Sequence, residues 1–134
     1  MRIRTEPTRL TALLTTLLAF SLVSQPTAAA AQGGAWLDNY SAVRESNRMN
    51  SKHILPATID CRFKSITPRL ATYEVKFSYE AKPSQKRGHW QVGNTRQMAQ
   101  QDAIQRKRGY HTIFMKRIYD RASGERASCA IWRE

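Results

Sequence analysis

Three histidines are the side chains best suited to acid–base catalysis near neutral pH: His53, His89 and His111. A phosphodiester can be cleaved when one imidazole accepts a proton, another donates one, and a cation stabilises the charge that develops on phosphorus. His89 and His111, with Lys116 or Arg117 as the cation, could play these parts. Their spacing does not require it, because each stands at the start of a predicted strand. The sequence therefore assigns no catalytic residue, and hydrolysis stays an alternative.

Other chemistry-bearing motifs are absent from the sequence. It contains no GxSxG nucleophile motif, no HExxH, no CxxC and no phosphate-binding loop. The carboxylates are scattered along the chain, mostly with cations nearby. We expect no metal site and no cofactor.

The strongest chemical signal is positive charge. The 134 residues contain 22 lysines and arginines against 10 acidic residues, a formal net charge of +12. Eight of the cations crowd a turn, the end of a predicted helix and the last hairpin, where they could form one basic patch: Lys82, Lys86, Arg87, Arg106, Lys107, Arg108, Lys116 and Arg117. Such a patch attracts polyanions by releasing their counterions. The alternative is a solvated surface that only keeps the protein in solution.

The two cysteines, Cys61 and Cys129, predict a disulfide. Alternation in ATIDCRF places Cys61 on the same strand face as Ile59 and Phe63, and Cys129 shares a face with Ile131. Both sulfurs should therefore point inward, and an even cysteine count in a small exported protein indicates a bridge. Two buried free thiols are the alternative.

The first 31 residues have the layout of a secretory signal peptide. Arginines precede an uncharged segment, TALLTTLLAFSLV, which is followed by small residues and a predicted cleavage site after Ala30 or Ala31. The segment is shorter than the roughly 20 apolar residues that span a bilayer. We expect a periplasmic or secreted protein without a transmembrane segment after cleavage. Nucleic acid is then an unlikely partner, whereas lipopolysaccharide, phospholipid headgroups, acidic glycans or an acidic protein fit the charge.

The elements that would position these residues follow from periodicity and turn signals. Strands are predicted at 57–63, 71–80, 89–92, 110–120 and 126–133, and a helix at about 94–108, ended by Gly109. Residues 32–52 form a short helix or a loose arm, with Trp36, Leu37, Tyr40 and Val43 on one helical face. Residues 53–134 then form a single α+β domain, with one small antiparallel sheet of four to five strands and the helix on one face.

Residues 90–134 carry a resemblance. A tryptophan strand, a helix, Gly109-Tyr110, a strand and the closing Ile131-Trp132 resemble the short β-rich tandem-repeat units found beside serine-hydrolase domains in some exported bacterial proteins. The paired CR and CAIW strands also resemble small exported bacterial proteins. This chain has one copy and no hydrolase domain. The resemblance implies a β-rich module with a structural or binding role and transfers no catalytic residue.

Together, these features favour a small exported basic protein that acts as a non-enzymatic binding or structural module for an anionic envelope or extracellular partner. One alternative is a small secreted, ribonuclease-like hydrolase that uses His89 or His111. Another is a secreted inhibitor or host-directed effector.

Overall fold

The computed structural model describes residues 34–82, 84 and 87–134. The predicted signal peptide, residues 1–31, lies outside the described residues. The elements follow one another as β1 (Leu37–Asp38), α1 (Asn39–Asn50), β2 (Ile54–Ile66), β3 (Ala71–Ala81), β4 (His89–Asn94), α2 (Thr95–Lys107), β5 (His111–Tyr119) and β6 (Arg126–Arg133). The mixed α+β class predicted from the sequence is confirmed. No helix among these elements is long and apolar enough to cross a membrane.

The strands form two antiparallel sheets of three strands each, not one sheet of four to five. Sheet I has the order β1-β3-β2 and sheet II the order β4-β6-β5. The prediction of a single sheet was wrong because alternation tells which residues share a face but not which strands pair. The chain leaves sheet I after β3 and enters sheet II at β4, and sheet I also contains β1, a two-residue strand too short to give a signal.

The main core lies between the two sheets. Sheet I contributes Ile59, Val75 and Phe77, and sheet II contributes Ile131, all at most 2 % exposed. The predicted disulfide joins Cys61 on β2 to Cys129 on β6, with Cα atoms 6.2 Å apart. The bridge therefore crosses the core and ties one sheet to the other.

Helix α2 covers the opposite face of sheet II. Met98 packs there against Ala130 and Trp132. Strand β6 is thus buried on both faces, by sheet I and by α2, which explains why ASCAIW, residues 127–132, is an almost unbroken run of buried residues.

Helix α1 does not bury the face that the spacing of apolar residues predicted. Its buried residues are Ala42 and Ser46, whereas Tyr40 is 71 % and Val43 is 43 % exposed. The helix begins only at Asn39, where Asp38 caps it by accepting a hydrogen bond from the Ser41 backbone N–H. Residues 36 and 37 precede the helix, so helical spacing counted from them does not apply.

Candidate functional site

The eight predicted cations fall into three groups. Lys86 lies outside the described residues. Three others are in ion pairs: Lys82 with Glu80 at 3.5 Å, Arg106 with Asp102 at 2.7 Å, and Lys116 with Asp60 at 2.5 Å. An exposed cation that already faces a carboxylate contributes less to binding an external anion.

The remaining four, Arg87, Lys107, Arg108 and Arg117, are exposed, and no carboxylate of the described residues forms an ion pair with them. Lys107 and Arg108 end α2, and Arg87 stands two residues before His89, the first residue of β4. His89 contacts Gln101 of α2 and lies opposite Trp132 in the ladder. Tyr110, just after α2, packs against the apolar cluster that contains Trp132, so the helix end lies near the strand start. We call Arg87, Lys107 and Arg108 the cationic cluster.

Lys116 and Arg117 lie apart from this cluster. They are on β5, at the other edge of sheet II from β4. In the backbone ladder Lys116 lies opposite Cys129 and Arg117 lies opposite Ser128, in the first half of β6. His89 lies opposite Trp132, near the other end of that strand. Because neighbouring residues of a strand point to opposite faces, the two cations also point away from each other.

His89 is half-buried in a polar setting on the α2 side of sheet II. Its Nε2 lies 2.9 Å from the Gln101 side-chain amide nitrogen, and its ring centroid is 5.9 Å from that of Trp132. Burial, followed by the Arg108 charge, lowers the pKa of His89 below its ordinary value. An amide nitrogen only donates hydrogen bonds, so His89 accepts this one in its neutral form.

The structure does not bring His89 and His111 into one cleft. His89 is opposite Trp132 in the ladder and His111 is opposite Arg133, the next residue of β6. Directly opposed residues share a face, so the two imidazoles point to opposite sides of sheet II. Their strands are separated by β6, which places the backbones about 10 Å apart. His89 and His111 therefore do not form the pair of imidazoles considered for phosphodiester cleavage.

A cavity of about 950 Å³ among the described residues forms a groove between α1 and β4. Consecutive residues, 88–92, line it on the β4 side, and α1 lines it with a stripe that includes Tyr40, Val43, Asn47 and Asn50. Residues of β2 and β3 also line it: Leu55, Pro56, Lys64 and 71–73. We call it the α1–β4 groove. Sequence reasoning missed it because a groove between a helix and a strand has no local pattern. The one available signal was the apolar pair Tyr40 and Val43, which the sequence places on one face of a short helix or in a loose arm.

The three tryptophans differ in their surroundings. Trp132 is fully buried, and Trp90 packs edge-on against Phe77 with ring centroids 5.0 Å apart. The Trp90 indole N–H donates to the Ser46 hydroxyl at 3.0 Å. Trp36 instead lies on the outer face of sheet I, where two cations stack on its ring, Arg62 at 4.3 Å and Lys76 at 5.0 Å.

The described residues contain no group of three or more histidine, cysteine, aspartate or glutamate side chains that could hold a metal ion. No family model matches the chain, and neither a curated protein nor a solved structure matches it.

Proposed function

We propose that this protein is an exported, non-enzymatic binding module whose cationic cluster holds an anionic partner in the envelope or the extracellular space. The observation that carries the proposal is the cluster itself: three exposed cations, at the C-terminal end of α2 and just before β4, that form no ion pair with a described carboxylate. Unneutralised cations release the counterions of a polyanion when they bind it, and this release drives association.

Export is part of the same proposal. The Cys61–Cys129 disulfide supports it, because such bonds persist in oxidising compartments and are rare in the cytosol. The signal-peptide pattern of residues 1–31 points the same way.

The test compares two triple charge reversals of equal size. The first variant replaces Arg87, Lys107 and Arg108 with glutamate. The control replaces three other exposed cations with glutamate: Lys52, Arg69 and Arg121. Binding of the oxidised protein is measured to polyglutamate, to heparin and to phosphatidylglycerol vesicles, at about 50 and about 200 mM salt.

We expect the cluster variant to bind at least about tenfold more weakly than the control, and binding by the unmodified protein to weaken steeply with salt. Equal losses in both variants would mean that only the net charge matters. Absence of binding to all three polyanions at low salt would overturn the proposal.

A further inference from the structure

Strand β4 has an open edge. It pairs with β6 over all six of its residues, from His89 opposite Trp132 to Asn94 opposite Ala127. On its other edge no strand of the described chain forms a ladder with it. An open edge offers unpaired backbone N–H and C=O groups to an incoming extended chain.

The α1–β4 groove runs along that open edge. Consecutive residues of β4 line it, including Trp90 and Val92, and so does the α1 stripe that starts at Tyr40. Positions 40, 43, 47 and 50 share one helix face because they are three or four residues apart. The exposed side chains of Tyr40 and Val43 thus lie beside the edge, where a bound chain would cover them.

The charges around the groove favour an acidic occupant. Lys64 is among the lining residues, and the cationic cluster lies at the end of the groove where the neutral His89 begins β4. Among the described lining residues Asp38 alone is a carboxylate, and its Oδ1 already accepts the Ser41 N–H at 2.8 Å. Amide side chains, Asn47 and Asn50 among them, supply further hydrogen-bonding groups.

We infer that the α1–β4 groove binds an acidic segment of a partner protein in extended form, which adds a strand to the open edge of β4. Such binding takes affinity from backbone hydrogen bonds and specificity from pockets for alternate side chains. The inference rests on the proposed function and narrows its anionic partner to a polypeptide. Tyr40 and Val43 would contact the apolar side chains of that segment, and the cationic cluster its carboxylates.

The test uses two peptides of equal charge on the oxidised protein. One peptide alternates glutamate and valine over about eight residues, the length of a short strand. The second has the same sequence with alternate backbone nitrogens methylated, which removes hydrogen-bond donors and keeps the charge. We expect the methylated peptide to bind at least tenfold more weakly, and the unmethylated peptide to slow amide hydrogen exchange in residues 89–94.

A pair of protein variants locates the binding site. Val43→Lys and Ile104→Lys each add one positive charge at an aliphatic helix position that is 43 % exposed, the first on α1 beside the groove and the second on α2. Val43→Lys should weaken peptide binding at least tenfold despite the added attraction, and Ile104→Lys should not weaken it. Both variants should keep the unfolding midpoint and the polyanion binding of the unmodified protein.

The outcomes separate this inference from the proposed function. If both peptides bind equally, the strand-addition inference is wrong. It is also wrong if polyglutamate, heparin or vesicles bind while neither short peptide does, and in that case the cationic cluster still binds polyanions. If Val43→Lys binds the peptide normally, the groove is not the site. If no anion binds at all, both proposals fail together.

Discussion

At the residue scale, Asp102 is the centre of the polar contacts between α2 and sheet II. Its Oδ1 accepts the Trp132 indole N–H at 2.9 Å and the Thr112 hydroxyl at 3.0 Å, and its Oδ2 accepts the Arg106 Nε–H at 2.7 Å. The Trp132 hydrogen bond is the main reason that the pKa of Asp102 is below its ordinary value. The indole N–H of the fully buried Trp132 thus has a hydrogen-bond acceptor, the carboxylate of Asp102 on α2.

Replacing Asp102 with alanine should lower the free energy of unfolding by about 1–3 kcal/mol, because the Trp132 N–H would stay buried without an acceptor. Asp102→Asn should cost less, since an amide oxygen can still accept from Trp132. Arg106→Ala removes only an ion pair whose arginine is 72 % exposed and should cost less than about 1 kcal/mol. Urea denaturation of the three variants measures the differences, and equal small losses for Asp102→Ala and Arg106→Ala would contradict the role assigned to the indole bond.

At the element scale, α2 is defined by its ends rather than by an apolar stripe. Asn94 accepts the Gln97 backbone N–H at 2.9 Å, and the Gln97 side chain accepts the Asn94 backbone N–H at 3.0 Å, so the helix starts in a reciprocal capping box. At the other end Gly109 has φ of +84°, a left-handed conformation that glycine adopts without steric cost. Only Met98 and Gln105 are buried along its length. Since its own contacts are few, the caps matter for its stability.

Asn94→Ala should therefore destabilise the protein by about 1 kcal/mol, the usual cost of losing an N-cap side chain. Thr95→Ala is the matched control, because Thr95 is exposed at the next position and alanine is a better helix former. Chemical denaturation followed by circular dichroism would show the difference. A loss in the control equal to that in Asn94→Ala would show that the cap contributes nothing.

At the scale of the whole molecule, two links hold sheet I against sheet II besides the apolar core and the surface ion pair between Lys116 and Asp60. The disulfide closes a sequence separation of 68 residues, for which the chain-entropy model gives about 4 kcal/mol of stabilisation. The second link is Arg133 of β6, only 6 % exposed, which donates to Glu80 of β3 at 2.7 Å and to the Pro56 carbonyl of β2. Arg133 is the principal reason that the pKa of Glu80 is lowered.

The stability of the protein should fall in two stages on acidification. His89 and Glu80 each have a lower pKa in the folded chain than in the unfolded chain. At a pH between a group's folded and unfolded pKa, the unfolded chain binds more protons, so acid favours unfolding. The contribution of His89 to the free energy of unfolding is fully present above its ordinary pKa of 6.5, and that of Glu80 above 4.5. Each contribution is lost as the pH falls through the pKa that the group has in the folded protein. Asp102 adds to the second stage, since its pKa is lowered from 3.8.

Urea midpoints measured from about pH 7.5 to about pH 3 would reveal both stages. His89→Gln should remove the first decline and leave the second. Glu80→Gln should lower stability at neutral pH and make the second decline shallower. A midpoint that does not change between neutral and acidic pH would contradict the role of both groups.

Several features of this protein were predictable from its sequence, because they depend on local patterns. Alternation in ATYEVKFSYE predicted strand β3, and a cap at Asn94 or Thr95 together with Gly109 predicted both ends of α2, of which the structure uses Asn94 as the cap. Two cysteines on inward strand faces predicted the bridge, since only one intramolecular pairing exists. In each case the information lies within about ten residues, or in a count of cysteines.

The tertiary structure alone decided how these elements meet. It divided the strands between two sheets, exposed Tyr40 and Val43 beside β4, and placed His89 and His111 on opposite faces of sheet II. It also separated Lys116 and Arg117 from the cationic cluster. Strand pairing and ladder register join residues that are far apart in the chain, and these contacts, rather than any local pattern, determine which side chains share a site.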